Sequence, residues 1–266
     1  MSESVPYGLD LLHVAFAAGF VLLAGVISVM YNLGLAKRLA VSAIRTALQL
    51  GLAGVALSAV FGLENLTLVL LLCLVMILLA GREALKRQSV KVGGTAFDVF
   101  LAMTVSAFTV SLIVTGSVIG ARPIWTPPVF IPILGMILGN SLNGISLALD
   151  RFLTGCVDQR ALIETRLSLG ATPNEAVQPL VREAVRTGMI PIINSMAIVG
   201  IVSMPGIMTG QLLAGADPKD AVLYQIVVMY MLAGSTSIST VISILMLRRR
   251  VFTADMALRS DLQHKL

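Results

Sequence analysis

Four small sets of residues carry what chemistry this chain offers. Ser42, Arg45, Thr46 and Gln49 fall at i, i+3, i+4 and i+7, a single polar stripe on an apolar helical run. Gly139, Asn140, Asn143 and Gly144 place two amides and two glycines on one face of another run, and Ser235, Thr236, Ser239, Thr240 and Ser243 repeat the geometry with hydroxyls. Polar groups in an apolar medium turn toward protein or water, so each stripe either lines a path or joins helices by hydrogen bonds worth about 0.6 kcal/mol each. Hydroxyls suit joining, and the amides suit both roles. Arg45 stands near the end of its run, where a snorkelling anchor and a cavity cation are equally good descriptions. In the fourth set, Pro205-Gly206 opens the backbone ladder between Met204 and Met208, with Met196 two turns earlier. Thioethers suit soft Cu(I) better than iron, but methionine is also a common core filler, which is the simpler role in a chain with 13 of them. The candidate substrate path is therefore Arg45, Gln49, Asn140, Asn143, Met204, Pro205 and Met208.

Hard metal ligands are few: Asp10 and His13 one turn apart, Glu64, and Asp150, which together make no metal site. Cys73 and Cys156 have no CxxC spacing and read as isolated thiols. No GxxxxGK[ST] occurs, so the chain cannot cradle ATP phosphates itself. With only two histidines, His13 and His264, at opposite ends of the sequence, a membrane enzyme is disfavoured.

A different signal comes from ETRLSLGATPNEAVQPLVREAVRTGMIP, Glu164 to Pro191. Asp158 can cap a helix running to Leu169, which Gly170 ends in the left-handed conformation. Thr172 then stands as N-cap with Pro173 at the first helical position and Glu175 three residues on, a capping box. Pro179 is expected to interrupt this second helix within two turns, and a third segment through Val185 leads to Pro191. The pattern predicts a stiff elbow of helix, turn, short helix, kink and helix, a surface for another body to grip.

The elements that must position these residues follow from composition. Of 266 residues 57% are hydrophobic and only 12% charged, against about 25% charged in an average soluble domain. The mean hydropathy of +0.93 agrees, and the chain is expected to be an all-α integral membrane protein. Seven runs are long enough to span, near Leu9–Tyr31, Leu39–Phe61, Leu66–Gly81, Phe97–Gly120, Val129–Leu149, Met189–Leu213 and Ala221–Leu247. Basic residues gather after spans one, three, five and seven: Lys37 and Arg38; Arg82, Lys86, Arg87 and Lys91; Arg151 to Arg186; and Arg248 to Arg250. Positive residues are retained inside, so the amino terminus is expected outside and the carboxyl terminus in the cytoplasm. The start, MSESVPYGLD, lacks a positive n-region, so span one is expected to be retained rather than cleaved. The whole chain reads as one domain, 1–266, with a cytoplasmic coupling segment at about 151–188. Its charge of +5 is spent at span ends against anionic lipid, leaving no case for nucleic acid. Gly116-xxx-Gly120, Gly135-xxx-Gly139 and Gly206-xxx-Gly210 would permit close helix crossings, within a chain or in a homodimer.

The loop also resembles a known pattern. Glu164-Thr165-Arg166, three residues, Gly170, nine residues and Leu180 reproduce the spacing of the EAA loop of ATP-binding-cassette importer permeases, without its terminal Leu-Pro. A longer likeness covers nearly the whole chain: LGNSLNGISLALDRF, ETRLSLGATPNEA and MPGIMTGQLLAGADPKDAVLYQIVVMYM resemble the FetB family of iron-export permeases, also classed as an uncharacterised membrane family. That resemblance implies a homodimeric permease in a bacterial inner membrane, partnered by a separate FetA-like ATPase subunit that would hold ATP and magnesium. This chain would bind no cofactor and catalyse nothing itself. Glu164, Arg166, Gly170, Thr172, Pro173 and Glu175 would form the ATPase-coupling surface. Iron or another metal ion is the implied cargo. A non-metal substrate such as a nucleotide sugar is the alternative within the family, because plant members are linked to both. A stand-alone ion-coupled carrier is the alternative outside it, although no span but the second carries a charge that could serve it; a scaffold without transport is a further class.

Overall fold

The computed structural model describes residues 10–63, 65–90, 92–253, 255–260 and 262; Glu64, Lys91, His264 and the first nine residues lie outside them. Among the described residues every regular element is helical: α1 (Leu11–Met30), α2 (Ala36–Leu63), α3 (Leu66–Lys86), α4 (Thr95–Ile113), α5 (Pro127–Asp158), α6 (Arg160–Ser168), α7 (Pro173–Ile198), α8 (Gly206–Leu213) and α9 (Pro218–Arg250). α4 runs on into a π-helical turn, Val114–Val118, closed by Ile119 N donating to Val114 O at 2.9 Å.

Six of these helices, α1 to α5 and α9, are long and apolar enough to cross a membrane. The expected span Met189–Leu213 is not one helix. α7 stops at Ile198, Gly200 turns to φ +83°, and Pro205 brings no N–H, so the ladder resumes only at Gly206. α5 and α9 have 32 and 33 residues, about 48 and 50 Å at 1.5 Å per residue, and outrun a hydrocarbon core of about 30 Å.

Two local expectations fail for the same reason. Asp158 does not cap a new helix; it is the last residue of α5, which continues past Leu149 because Phe152, Leu153 and Cys156 extend its buried stripe. Pro179 does not end the helix after Thr172; α7 passes through both Pro179 and Pro191 for 26 residues. Proline removes one ladder bond, but Ala176, Val177, Leu180, Val181 and Ala184 are all buried along one face, and their packing outweighs the local loss. The expected short helix is thus the first part of a long one.

The chain divides into two compact units. One comprises α1, α2 and Thr209–Pro218. In it α1 and α2 form an antiparallel hairpin whose turn is closed by Ser28 Oγ accepting from Leu35 N at 2.9 Å. Its outer faces are apolar: Phe16, Phe20 and Val55 are about three-quarters exposed. The other unit comprises Asn65–Met208 and the chain from Lys219. α5 is its centre, packed on α3, α4 and α7 through Phe130, Leu134, Ile137, Leu149 and Phe152.

α5 and α7 approach closely at Gly144 and Gly188: a Cβ on Gly188 would lie 2.6 Å from Gly144 O. Lower down, a Cβ on Gly155 would meet Leu180 Cδ2 at 2.9 Å. Of the glycine pairs singled out by spacing, Gly120, Gly139, Gly206 and Gly210 have open space where a Cβ would stand, while Gly135 faces Met76 and Gly116 faces Ile124. The hydroxyl stripe of α9 is packed among helices, but Ser235 Oγ and Ser239 Oγ donate within α9 itself, to Leu232 O and Thr236 O at 3.1 Å. Ser235, Thr236, Ser239, Thr240 and Ser243 are all buried, Ser106 Oγ of α4 donates to Ser235 O at 2.7 Å, and Thr236 and Thr240 close over Gly144.

Candidate functional site

The elbow is built by local rules. α6 closes in a Schellman motif: Gly170 N donates to Leu167 O and Ala171 N to Arg166 O, both at 3.0 Å, with Gly170 at φ +92°. Two residues later the capping box is complete. Thr172 Oγ1 accepts from Glu175 N at 3.3 Å, and Glu175 Oε2 accepts from Thr172 N at 2.8 Å and from its hydroxyl at 2.7 Å. These bonds from Thr172 hold the Glu175 carboxyl below its ordinary pKa. Arg166 fixes the angle between the helices by donating from Nη1 to Ala176 O at 2.9 Å.

The six elbow residues therefore divide by role. Arg166 and Glu175 are consumed in the elbow's own bonds, and Arg160 pairs with Glu164 at 3.5 Å. Glu164, Gly170, Thr172 and Pro173 line one groove of about 540 Å³, whose far wall is Asp255 to Leu258 from the carboxyl-terminal segment. That wall is anchored by Arg160, whose Nη2 donates to Arg259 O at 2.7 Å. Leu169 at the tip is 82% exposed, an apolar side chain presented rather than buried. Along α7 the outward face carries Glu175, Gln178, Arg182, Glu183 and Arg186 over a shallow groove, and Arg151 of α5 ties into it by donating from Nε to Glu183 Oε1 at 3.1 Å.

Of the seven path residues, Arg45 and Gln49 belong to the first unit and the other five to the second. Arg45 and Gln49 lie on an exposed face of α2, beside Val41, Ile44 and Leu48. Asn140 turns back on its own helix, donating to Met136 O at 3.0 Å. Asn143 accepts from Arg87 Nη1 at 2.9 Å, and beside it Asp150 Oδ1 accepts from Ser89 N at 2.8 Å, so this part of the amide face latches α5 to the end of α3. Gly144 points the other way, into the crossing with α7, and the supposed single face is two. Met204 is 61% exposed on the broken segment after α7, next to Pro205, whereas Met208 is buried.

Met208 shares a cavity of about 580 Å³ with Met196, Met229, Gln225 and the chain at 199–201. Gln225 and Met229 escaped notice in the sequence, although a lone amide one turn from a methionine within AVLYQIVVMYM was a legible signal. Arg87 and the glycine at 188 were not legible, because their partners are 56 and 44 residues away (188 − 144 = 44) and no short-range pattern marks them. Asp10 and His13 are bonded locally, Asp10 N donating to His13 Nδ1 at 3.2 Å. Among the described residues no group of three His, Cys, Asp or Glu could hold a metal ion, and both cysteines are free and buried.

Six long apolar helices, with exposed faces of phenylalanine, leucine and valine, define a multi-pass membrane protein. Residues 11–252 match the uncharacterised protein family UPF0014, and the chain belongs to that family. It is 35% identical to FetB of Escherichia coli (strain K12), described as a probable iron export permease protein, over 90% of this chain and 91% of that one. It is 39% identical to the UPF0014 membrane protein slr1647 of a Synechocystis strain, over 74% of this chain and 76% of its relative. Protein ALUMINUM SENSITIVE 3 of Arabidopsis thaliana is 34% identical over 86% of this chain and 82% of its own length. No solved structure matches.

Proposed function

We propose that this chain is the permease subunit of an ATP-binding-cassette transporter of a bacterial inner membrane, exporting iron or another metal ion with energy from a separate ATPase. One observation carries the reading: the elbow is rigidly joined to helices deep enough to cross the membrane. α5 continues unbroken from its spanning part to the elbow, α7 leads back from it, and the two are interlocked at Gly144–Gly188 and at Gly155–Leu180. Eleven residues separate Gly144 from Gly155, about 16 Å of helix. A push on Leu169 or Pro173 therefore moves α5 and α7 as one body, the kind of rigid shift that alternating access requires. The likeness to FetB, a probable iron export permease, supports the class of cargo.

In this mechanism the groove formed by Glu164, Gly170, Thr172 and Pro173, with exposed Leu169, receives the ATPase. The capping box and the Arg166 bond keep the elbow from yielding under load. The amino terminus lies outside, the carboxyl terminus in the cytoplasm, and the pieces on either side of Pro205 form a seventh, broken span. Two copies would complete the transporter with two ATPases.

The test is co-purification with a candidate FetA-like ATPase, followed by ATP hydrolysis in liposomes with and without added metal. Metal-stimulated hydrolysis that falls at least about tenfold in Glu175→Lys, which reverses the cap's charge, is the expected result. Absence of any bound ATPase would defeat the permease reading.

A further inference from the structure

We propose that the cavity at the junction of α7, α8 and α9 is a site for a soft monovalent cation of the Cu(I) and Ag(I) class, held by the thioethers of Met196, Met208 and Met229 and the amide oxygen of Gln225. As the cargo site of the transporter it rests on the permease reading above, but as a metal site it belongs to the isolated chain.

The residues come from three helices that the sequence keeps apart. Met196 stands near the end of α7, Met208 near the start of α8, and Gln225 and Met229 one turn apart on α9. All four border one space of about 580 Å³. Gln225 is only 5% exposed, and its Oε1 has no hydrogen-bond partner among the described residues. A buried amide oxygen left unpartnered is costly, so one that borders an open cavity favours a donor or a cation there. The chain at 199–201 adds further acceptors. α7 ends at Ile198, and the backbone at 199–201 borders the cavity outside any helix.

The lining selects the cation by charge and by softness. It contains no Asp, Glu, His, Lys or Arg. Without an anionic ligand the ion's whole charge must be desolvated, and that cost rises with the square of the charge, so a monovalent ion is favoured strongly over a divalent one. Thioether sulfur is a soft, polarisable donor that suits Cu(I), whereas iron and the hard divalent ions prefer nitrogen and oxygen. Methionine is unbranched with three rotatable bonds, so the sulfurs can swing into the space and converge on an ion that enters it. Met204, the methionine that spacing alone pairs with Met208, faces outward at 61% exposure and takes no part.

The experiment uses the full-length chain in detergent, in a Cys73→Ser, Cys156→Ser background that removes competing thiols. Redox-inert Ag(I) is titrated in chloride-free buffer and followed by calorimetry and by NMR of 13C-methyl methionine. One Ag(I) per chain, with methyl shifts confined to Met196, Met208 and Met229, is the expected result. Met229→Leu or Met208→Leu, which keep volume and apolarity, should weaken binding by at least about tenfold, since changes even outside the ligand shell cost about 10–100-fold at metal sites. Gln225→Leu should weaken it without altering the methyl pattern. The proposal is overturned if Ag(I) does not bind, if the triple Met→Leu variant binds as the parent does, or if anaerobic Fe(II) displaces Ag(I) at equal concentration. The NMR pattern on the unsubstituted methionines decides the matter even if a variant fails to fold. An intact titration in a chain that captures no ATPase upholds the site and defeats the permease reading; a captured ATPase with no Ag(I) binding does the reverse.

Discussion

At the scale of single residues, the positions that decide most are those where a side chain is missing or a charge is confined. Gly188 is the sharpest case, with Gly144 O, Thr240 Cγ2 and Ala148 Cβ at 2.6, 2.9 and 3.0 Å from any added Cβ. Backbone cannot give way as a flexible side chain can, so Gly188→Ala should destabilise the chain by about 1–3 kcal/mol. Gly139→Ala, in open space on the same pair of helices, should be neutral or slightly stabilising. Unfolding followed through the one tryptophan, Trp125, would separate them, and equal midpoints would refute the crossing. At the elbow, Glu175 titrates below its usual 4.5 because Thr172 donates to its carboxylate. A depressed carboxyl pKa adds stability above the unfolded value and loses it as pH falls through the lower folded one. The protection of the Thr172 amide hydrogen, its exchange rate corrected for the intrinsic pH dependence, should therefore fall on acidification below about 4.5 and stay constant between pH 6 and 8. Substituting Glu175→Gln should remove that pH dependence. The capping box was legible in the sequence because its partners are three residues apart; Asp98 with Arg250 was not, since 152 residues separate the two members of that ion pair.

Among the elements, α7 shows packing overruling local preference. Proline in a helix interior is about 3 kcal/mol worse than alanine, yet Pro179 sits within an unbroken helix because the opposite face is buried against α5 and α6. Pro179→Ala should leave the helix intact, slow amide exchange around Arg182 and Glu183, and retain ATPase capture. If capture or metal-stimulated hydrolysis collapsed, Pro179 would be a hinge rather than a tolerated flaw. Proline does break the chain at Pro205, and the contrast is instructive. There Gly200 at φ +83° and the exposed Ile201 and Val202, at 89% and 78%, mean that no buried stripe carries the helix across the gap. The same residue type ends one helix and not another according to what its neighbours bury.

For the whole molecule, the orientation of the elbow is the property on which the transport reading depends. In a background lacking Cys73 and Cys156, Leu169→Cys should react with a membrane-impermeant maleimide in inside-out vesicles and be protected in right-side-out ones, its side chain being 82% exposed. Labelling from the outer side would invert the topology and remove the elbow from any cytoplasmic partner.

What the sequence determined by itself was whatever depends on composition or on residues a turn or two apart. It carried the membrane class, the positions of six spanning helices, the left-handed Gly170, the Thr172–Glu175 cap and the opening at Pro205. Hydrophobicity sums along the chain, and caps are closed by near neighbours, so neither needs the fold. Only the tertiary structure decided which face of each helix is inside. It turned Asn143 outward to Arg87, left Arg45 and Gln49 on an exposed face, set Gly144 against Gly188, and gathered Met196, Met208, Gln225 and Met229 around one cavity. Helical spacing says which residues share a stripe, but what the stripe meets depends on how far each helix runs and where the next one crosses it, and both are settled by contacts tens of residues apart.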